Sequence, residues 1–271
     1  MVGIYFSGTG NSRYALELFL QEYNKQVEPQ RDVDFIGGAF SIEDGNAVDA
    51  VKAHGTIAFS YPVQYSTVPK ILRDFVIDNQ ELWKNKKIFI IATMGLFSGD
   101  GAGNLGRLLQ KYGGEIIGGL HLKMPDSIGD EKLLKRSMEM KVRLVKEAES
   151  KIKKAVCAIK VGKPPREGLG ILWRMAGFFG QRLWFGHQTR HYSSKLKINE
   201  EECIGCGQCV RLCPMNNLEL TDEKAKAGSR CTMCYRCINY CPRQAITLLG
   251  KKVVWQSRIE KYLEGDDNEH T

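Results

Sequence analysis

The first part of the chain alternates short apolar runs with longer stretches in which apolar residues recur every three or four positions. Short apolar runs are typical of buried strands, and the longer spacing is typical of helices that cover a sheet. The runs predict strands at residues 2–6, 33–36, 56–60, 88–93 and 115–122. Helices are predicted at residues 12–23, 48–54, 69–78, 103–112 and 131–159. This alternation predicts an α/β fold with a doubly wound, five-stranded parallel sheet, whose ligands bind beyond the carboxyl ends of the strands.

The alternation stops at "GKPPREGLG", residues 162–170, which indicates a domain boundary. We therefore expect an α/β domain at 1–161, an aromatic and basic connector at 162–195, a small domain at 196–256 and a polar tail at 257–271. Ten Lys and Arg residues stand against one acid, Glu167, between Lys151 and Lys195. Because the net charge of +8 is concentrated in this segment, the chain is not expected to bind nucleic acid.

The connector is apolar enough to raise the question of a membrane. Arg174 and Arg182 lie within its apolar run, and each would cost about 2.5–3.5 kcal/mol at a bilayer centre, so a spanning helix is not expected. Packing between the two domains is favoured, and peripheral contact with a membrane or a partner remains the alternative. His187 and His191 lack a third ligand nearby and are expected to form a polar face.

Nine cysteines follow an N-terminus whose first predicted strand leaves no room for a signal peptide, so we expect a cytoplasmic protein whose thiols bind metal. Eight of them form two units of the pattern C-x2-C-x2-C-x3-C-P, repeated after 28 residues. The first unit contains Cys203, Cys206, Cys209 and Cys213, and the second contains Cys231, Cys234, Cys237 and Cys241. Cys157 stands apart on a predicted helix and is expected to be a small buried hydrophobe.

This spacing is typical of [4Fe–4S] clusters, because three cysteines at steps of three wrap one cubane while the fourth reaches the other cluster. Cys203, Cys206, Cys209 and Cys241 are assigned to one cluster, and Cys231, Cys234, Cys237 and Cys213 to the second. Zinc is the competing interpretation, but a third cysteine at the same step has no place in a tetrahedral site of four thiolates. Residues 195–256 resemble the bacterial two-cluster ferredoxins, which implies a small α+β domain. "CPRQAI" matches that family's turn, whereas "CPMNNL" departs from it at Asn216 and Asn217.

The stretch "SGTGNS", residues 7–12, joins the first predicted strand to the first predicted helix. Hydroxyl groups and glycines at such a turn indicate an anion held by backbone N–H groups, although a plain helix cap is the alternative. Arg13 stands where a dinucleotide motif needs its third glycine, and the lysine of a P-loop is absent from the sequence here. The stretch resembles the flavodoxin phosphate loop, and the resemblance to flavodoxin extends over residues 1–161.

The resemblance implies FMN, with its ring held by the loops that follow the third and fourth strands. Tyr65 and Phe97 are candidates to stack on the ring, with Tyr61 as a substitute, and each has the alternative role of a surface aromatic. The glycines of the second loop would let backbone amides approach the ring. The residues expected to bind FMN are Ser7, Gly8, Thr9, Gly10, Asn11, Ser12, Tyr61, Pro62, Val63, Tyr65, Thr93, Met94, Gly95, Phe97, Gly99 and Gly101.

The whole chain resembles the anaerobe-type fusion proteins that join a flavodoxin domain to a two-cluster ferredoxin. That resemblance implies an intracellular electron carrier that exchanges electrons with a redox partner protein through its clusters and FMN. One alternative is a reductase in which FMN reduces a small substrate, although Asp100 and Asp126 are ordinary loop acids in the sequence. Another is a redox sensor. The sequence leaves the direction of electron flow and the oligomeric state open.

Overall fold

The computed structural model describes residues 1–26, 38–179 and 192–264. The N-terminal domain is built on one parallel sheet whose strand order is β2-β1-β3-β4-β5. Its strands are β1 (Val2–Tyr5), β2 (Ala39–Ser41), β3 (Thr56–Pro62), β4 (Lys87–Met94) and β5 (Glu115–Lys123). This is the flavodoxin-like doubly wound order, in which the strand order reverses between β1 and β3 and opens a crevice at the carboxyl ends of these strands.

Helices cover both faces of the sheet, and each buries an apolar side against it. They are α1 (Asn11–Gln26), α2 (Ala47–Ala53), α3 (Lys70–Asp78), α4 (Gly101–Lys111) and α5 (Met138–Lys160). Helices α1 and α5 bury residues such as Phe19 and Ile152 on one face. Helices α2, α3 and α4 bury Val51, Leu72 and Leu105 on the other. The sheet is therefore the middle layer of three, as its apolar runs predict.

The predicted fold class is confirmed, and most predicted helices and strands lie within a few residues of the observed ones. The predicted strand at residues 33–36 lies outside the described residues, and the strand that pairs with β1 is Ala39–Ser41. The helix predicted from residue 131 is wrong at its start, since α5 begins at Met138. The Ser137 hydroxyl accepts a hydrogen bond from the Met140 N–H and so caps the helix there. Cys157 is exposed rather than buried.

The first part of the connector packs against the N-terminal domain. Its backbone forms a parallel bridge between Arg166 and Gly119, at the free edge of β5. It continues into the short helix α6 (Ile171–Gly177), in which the Trp173 ring packs edge-on against His121 at 5.3 Å between centroids. Ile171, Leu172 and Met175 are exposed on the same helix. Arg182, His187 and His191 lie outside the described residues.

The C-terminal domain is small and contains two short antiparallel ribbons. Its elements are β6 (Lys197–Ile198), α7 (Gln208–Leu212), β7 (Leu218–Thr221), β8 (Lys224–Ala227), α8 (Arg236–Tyr240), β9 (Ile246–Thr247) and α9 (Glu260–Leu263). Strand β6 pairs with β9, and β7 pairs with β8. Part of the segment predicted as a polar tail is packed against the N-terminal domain. Ile259 and Tyr262 are buried in the apolar cluster that contains residues of α1 and α5.

The two domains meet along the loop that follows β5. The Asp130 carboxylate accepts hydrogen bonds from the N–H groups of Leu248, Leu249 and Gly250, at 2.6, 2.8 and 3.0 Å. The Gly129 carbonyl accepts from the N–H groups of Val254 and Trp255. The contact brings the cysteine-rich domain to the carboxyl-end edge of the parallel sheet, where a ligand of this fold would bind. Among the described residues, no helix is long and apolar enough to cross a membrane.

Candidate metal and phosphate sites

The two cysteine units adopt the same backbone conformation. In the first, Gly205, Gly207 and Asn216 have positive φ angles of 65°, 68° and 47°. The equivalent positions of the second unit are Met233, Tyr235 and Gln244, and their φ angles are 56°, 60° and 52°. A left-handed conformation costs little at glycine and more at Met233 and Tyr235, so the second loop depends on its surroundings to hold it. The repeat in the sequence is therefore also a repeat in structure.

Each unit encloses a cavity lined by three of its own cysteines and one from the other unit. The first cavity is lined by Cys203, Cys206 and Cys209 together with Cys241. The second is lined by Cys231, Cys234 and Cys237 together with Cys213. The two cavities are of equal size. The fold thus gathers the eight cysteines in the two groups expected from the sequence.

Burial raises the pKa of several of these thiols. The pKa of Cys234 rises to about 12, and those of Cys209, Cys231 and Cys237 also rise, because burial disfavours the charged thiolate. A buried thiolate is therefore stable only beside a positive centre such as iron. Within the described chain, no three His, Cys, Asp or Glu side chains lie close enough to hold a single metal ion.

Backbone N–H groups point at the sulfur atoms in both units. The Asn217 N–H donates to Cys213 Sγ at 3.3 Å, and the Ala245 N–H donates to Cys241 Sγ at 3.4 Å. The Met233 N–H donates to Cys231 Sγ at 3.4 Å. Such bonds disperse negative charge from thiolates and tune the potential of an iron–sulfur cluster. The departure from the ferredoxin pattern at Asn217 therefore leaves a sulfur-directed N–H in place.

The stretch from Ser7 to Ser12 forms the turn between β1 and the N-terminus of α1. No acceptor among the described residues receives the backbone N–H groups of residues 7–12. The Asn11 side chain donates to the Pro125 carbonyl, and its Oδ1 atom is buried without a partner in the described chain. Ser12 Oγ lies 2.7 Å from Thr93 Oγ1. Unmet N–H groups at the start of a 16-residue helix fit a bound phosphate.

The loops that follow β3 and β4 lie beside this turn. The Val63 N–H donates to the Thr93 carbonyl at 2.8 Å, and Thr93 reaches Ser12, so the three loops share one edge of the sheet. The Tyr61 ring is fully buried and its hydroxyl donates to the Gly101 carbonyl at 2.7 Å. Tyr61 is therefore a core residue, and the prediction that its ring could replace that of Tyr65 is wrong.

The remaining ring-contact candidates differ in what surrounds them. Tyr65 is half-buried, and its ring stacks on Tyr192 with 6.5 Å between centroids. Phe97 is 40% exposed. Four further candidates lie at or just beyond the carboxyl ends of the same two strands: Pro62 ends β3, Met94 ends β4, and Gly95 and Gly99 lie in the loop that follows β4. Gly99 adjoins the connector, because a Cβ atom on it would lie 2.5 Å from the Gly177 Cα atom.

Asp126, one of the two loop acids considered in the sequence, lies against the loop that follows β4. A Cβ atom on Gly95 would lie 2.0 Å from Asp126 Oδ2, so this carboxyl group covers the backbone of the loop that follows β4. Burial raises the pKa of Asp126. Asp100, in contrast, forms an ion pair with Arg107 at 2.5 Å.

Comparison with known families agrees with the two halves of this description. Residues 195–242 match the family described as "4Fe-4S dicluster domain". The strand order of the sheet is that of the flavodoxin-like fold. The chain thus joins a domain with the flavodoxin-like strand order to a segment that matches a 4Fe–4S dicluster family. No curated protein matches the chain at a significant level.

Several solved flavodoxins are similar to part of this chain at low identity. The two-electron reduced Megasphaera elsdenii flavodoxin is 23% identical, with a TM-score of 0.39, and the match covers 57% of this chain and 100% of that chain. The Fusobacterium nucleatum flavodoxin bound to flavin mononucleotide is 15% identical, with a TM-score of 0.38, and the match covers 60% and 98%. A flavodoxin from the domain Archaea is 12% identical, with a TM-score of 0.38, and the match covers 59% and 97%.

The contact between the dicluster domain and the phosphate turn was not predicted from the sequence. Arg236 lies between Cys234 and Cys237 and donates to the Ser7 carbonyl at 2.8 Å. Its guanidinium also pairs with both oxygens of Glu43, each at 2.7 Å. Nothing in the spacing of these residues indicates that they meet. Only the fold, which brings the second cysteine unit onto the sheet edge, makes the contact visible.

Proposed function

We propose that this chain is an iron–sulfur flavoprotein that passes electrons between a redox partner protein, two [4Fe–4S] clusters and FMN. The observation that carries this proposal is the contact between the two candidate sites: a Cβ atom on Gly8 would lie 2.0 Å from the Cys234 carbonyl oxygen. The second cysteine-lined cavity therefore adjoins the phosphate turn. When bound, each cluster exchanges one electron at a time, and a flavin accepts one or two.

The cysteines hold the clusters in two groups of four. Cys203, Cys206, Cys209 and Cys241 bind one cluster, and Cys213, Cys231, Cys234 and Cys237 bind the other. The grouping is supported by the lining of the two cavities and by the N–H groups directed at the sulfur atoms. Because such clusters carry electrons and make no new bond, the electrons must come from an external donor, which we propose is a redox protein.

The turn at residues 7–12 holds the FMN phosphate with its free N–H groups and with the Ser7 and Thr9 hydroxyls. The positive end of α1 and the N–H groups supply the potential for an anion without a lysine. The flavin ring is held by the loops at residues 61–65 and 93–101, with Tyr65 and Phe97 as its aromatic neighbours. The unmet N–H groups and the shared position of these loops at one sheet edge support this assignment.

Cofactor analysis tests this function directly. Protein purified without oxygen, or reconstituted with iron and sulfide, should contain about eight iron atoms and one FMN per chain. Zinc in the cysteine sites, or iron near four atoms, would contradict the two-cluster assignment. FAD or no flavin after reconstitution would contradict the assignment of residues 7–12.

A second candidate function is an FMN-dependent reductase of a small substrate, supplied with electrons by its own clusters. The observation in its favour is Asp126, whose half-buried carboxyl group covers Gly95 and has a raised pKa, as a proton donor beside a reduced flavin would need. Asp126→Asn should then abolish turnover of the substrate while reduction of FMN by a protein donor continues. Equal turnover in the variant and in the native protein would leave this function without a proton donor.

A further inference from the structure

We propose that the two cluster sites act in a fixed order, with the Cys213, Cys231, Cys234 and Cys237 site as the inner donor to the flavin. The Cys203, Cys206, Cys209 and Cys241 site is then the outer one, which receives the electron from the partner. Arg236 is the positioning residue that holds the inner site on the phosphate turn. This inference rests on the proposed function and adds to it the direction in which the sites are connected.

The second cysteine unit, which supplies three of the four cysteines of the inner site and is called the inner unit, touches the flavodoxin-like domain at three of its backbone positions. Besides the close approach of Cys234 to Gly8, Gln64 Nε2 donates to the carbonyl oxygens of Thr232 and Met233 at 3.0 and 3.1 Å. Gln64 belongs to the loop that follows β3, one of the two expected to hold the flavin ring. The inner cluster loop is therefore fixed to both the phosphate end and the ring end of the candidate flavin site.

Arg236 connects three segments through one guanidinium. It begins α8 and binds the Ser7 carbonyl, the Glu43 carboxylate and, at 3.1 Å, the Leu212 carbonyl. Its side chain is only 16% exposed. A shielded, bidentate arginine–carboxylate pair is stronger and more directional than an exposed one. The positive charge also stands between two sites that bind anions, a phosphate and a cluster with four thiolates, and attracts both.

The C-terminal segment fastens the other side of the phosphate turn. The Ile259 N–H donates to the Thr9 carbonyl at 3.0 Å, and a Cβ atom on Gly10 would lie 2.3 Å from Ile259 Cγ2. Residues 7–10 are therefore contacted by the inner unit on one side and by the segment around Ile259 on the other. The relative position of inner site and phosphate turn is fixed by contacts on both sides.

The first cysteine unit, which supplies three of the four cysteines of the outer site and is called the outer unit, has no hydrogen bond to the flavodoxin-like domain among the described residues. Cys206 is exposed, and the mouth of its cavity is lined by Ile204 and Leu220, which are 61% and 46% exposed. The described hydrogen bonds of this unit stay within the dicluster domain, as from Arg211 Nη1 to the Cys206 carbonyl and from Lys224 Nζ to the Cys203 carbonyl. An exposed apolar rim around a redox centre fits the short-lived docking of a one-electron carrier protein.

The proposed sequence moves one electron in each step and breaks no covalent bond. A reduced one-electron carrier protein would give one electron to a cluster held by Cys203, Cys206, Cys209 and Cys241. That electron would pass to a cluster held by Cys213, Cys231, Cys234 and Cys237, and from there to FMN held at the phosphate turn. Two passages, together with protons taken up at the flavin alone, complete a two-electron reduction.

Phosphorus NMR of bound FMN tests the order, because a paramagnetic reduced cluster broadens the resonance of a nearby phosphate. The dithionite-reduced native protein should show a broad phosphate resonance. The broadening should remain in Cys206→Ala, which loses the outer cluster, and should be lost in Cys234→Ala, which loses the inner one. Iron content measured on each sample should be about four atoms below that of the native protein, which verifies that each variant has lost one cluster.

Arg236→Gln tests the positioning residue without removing a cysteine. The variant should keep its iron and FMN, lose most of the phosphate broadening and reduce its flavin more slowly, while a protein donor reduces the outer cluster at the native rate. Arg143→Gln, which removes an exposed arginine from an ion pair with Glu147 on α5, is the matched control and should behave as the native protein.

Loss of the broadening in Cys206→Ala together with its retention in Cys234→Ala would reverse the order and overturn the inference. Unchanged broadening and unchanged flavin reduction in Arg236→Gln would remove Arg236 from its role. In both cases FMN and iron are present, so the proposed function would stand. Absence of bound FMN from the native protein would overturn the proposed function itself, and the order with it.

Discussion

Gly8 is the residue at which the two halves of the molecule approach most tightly along the phosphate turn. Because a Cβ atom there would lie 2.0 Å from the Cys234 carbonyl oxygen, and backbone cannot give way as a side chain can, Gly8→Ala must separate the two loops. We expect the free energy of unfolding to fall by about 1–3 kcal/mol and the affinity for FMN to fall as well. Denaturant unfolding and flavin fluorescence titration measure the two effects.

Gly45 offers the control for this substitution, because no heavy atom lies within 4 Å of a Cβ atom placed on it. Gly45→Ala should change the free energy of unfolding by no more than about 0.5 kcal/mol. Equal stability of the Gly8 and Gly45 variants would mean that the two loops are not in contact in solution.

His121 gives the molecule a residue whose titration depends on the fold. Burial lowers the pKa of its imidazole from 6.5 to about 4, and the opposing charges of Glu167 and Lys151 change it less. The unfolded chain therefore binds a proton between pH 6.5 and about 4 that the folded chain does not. Stability should fall as the pH falls through this window, by about 2 kcal/mol between pH 7 and pH 5, and should level off below it.

Denaturant unfolding at several pH values checks this expectation against His121→Asn, which lacks the titrating group. Both proteins share every other acid-sensitive feature, including the candidate clusters, so the difference between their slopes belongs to His121. If the two proteins lose stability in parallel from pH 7 to pH 5, the imidazole is not shielded as the structure indicates.

Among the elements, the loop between β5 and α5 fastens the dicluster domain. The Asp130 carboxylate is buried and accepts three backbone hydrogen bonds from residues 248–250. Asp130→Ala should lower the free energy of unfolding by about 3 kcal/mol or more, since three buried donors lose a charged acceptor. Hydrogen exchange should increase first at the N–H groups of Leu248 and Leu249. Glu147→Ala, at a side chain on α5 that is 61% exposed, is the control and should leave both measurements unchanged.

The same loop shows where prediction from the sequence stops at the scale of elements. Apolar periodicity predicts the sheet and most of its helices well, because each strand and helix is decided by burial of its own residues. The prediction places the start of α5 too early, at residue 131, because the residues from 131 onward have a composition typical of helices. The helix begins only at Met138, where Ser137 supplies the cap. Asp130, just before this stretch, binds the backbone of residues 248–250, which lie far away in the sequence. A pattern of neighbouring residues carries no information about such a contact.

At the scale of the whole molecule, each candidate site can be recognised from the local sequence, whereas the contact between the sites cannot. The two cysteine groups and the glycine turn at residues 7–12 can be recognised in the sequence because their residues recur at short, fixed spacings, and the cofactors assigned to them stay predictions. The contact between these sites was not predictable, since Glu43 and Arg236 are 193 positions apart and their meeting depends on how two finished domains pack. The Tyr61 ring was misjudged for a related reason, since burial behind Gly101 is decided by the packing of α4.

The way in which electrons enter the molecule gives a test that involves all of its parts. The glycine turn at residues 7–12 has Arg13 where a dinucleotide motif needs its third glycine, so its sequence does not match a dedicated nicotinamide site. We expect a reduced ferredoxin to reduce FMN rapidly, and NADH or NADPH to do so slowly or not at all. Stopped-flow absorbance under nitrogen measures both reactions.

Cys206→Ala separates the route through the clusters from direct reduction of the flavin. The variant should retain FMN, because residue 206 has no described contact with the flavodoxin-like domain, and should be reduced more slowly by ferredoxin. Dithionite, a small reductant that can reach the flavin without a docking surface, should still reduce it. Full ferredoxin-driven reduction in this variant would show that electrons bypass the exposed cysteine unit, and fast, saturable reduction by a nicotinamide would favour the reductase.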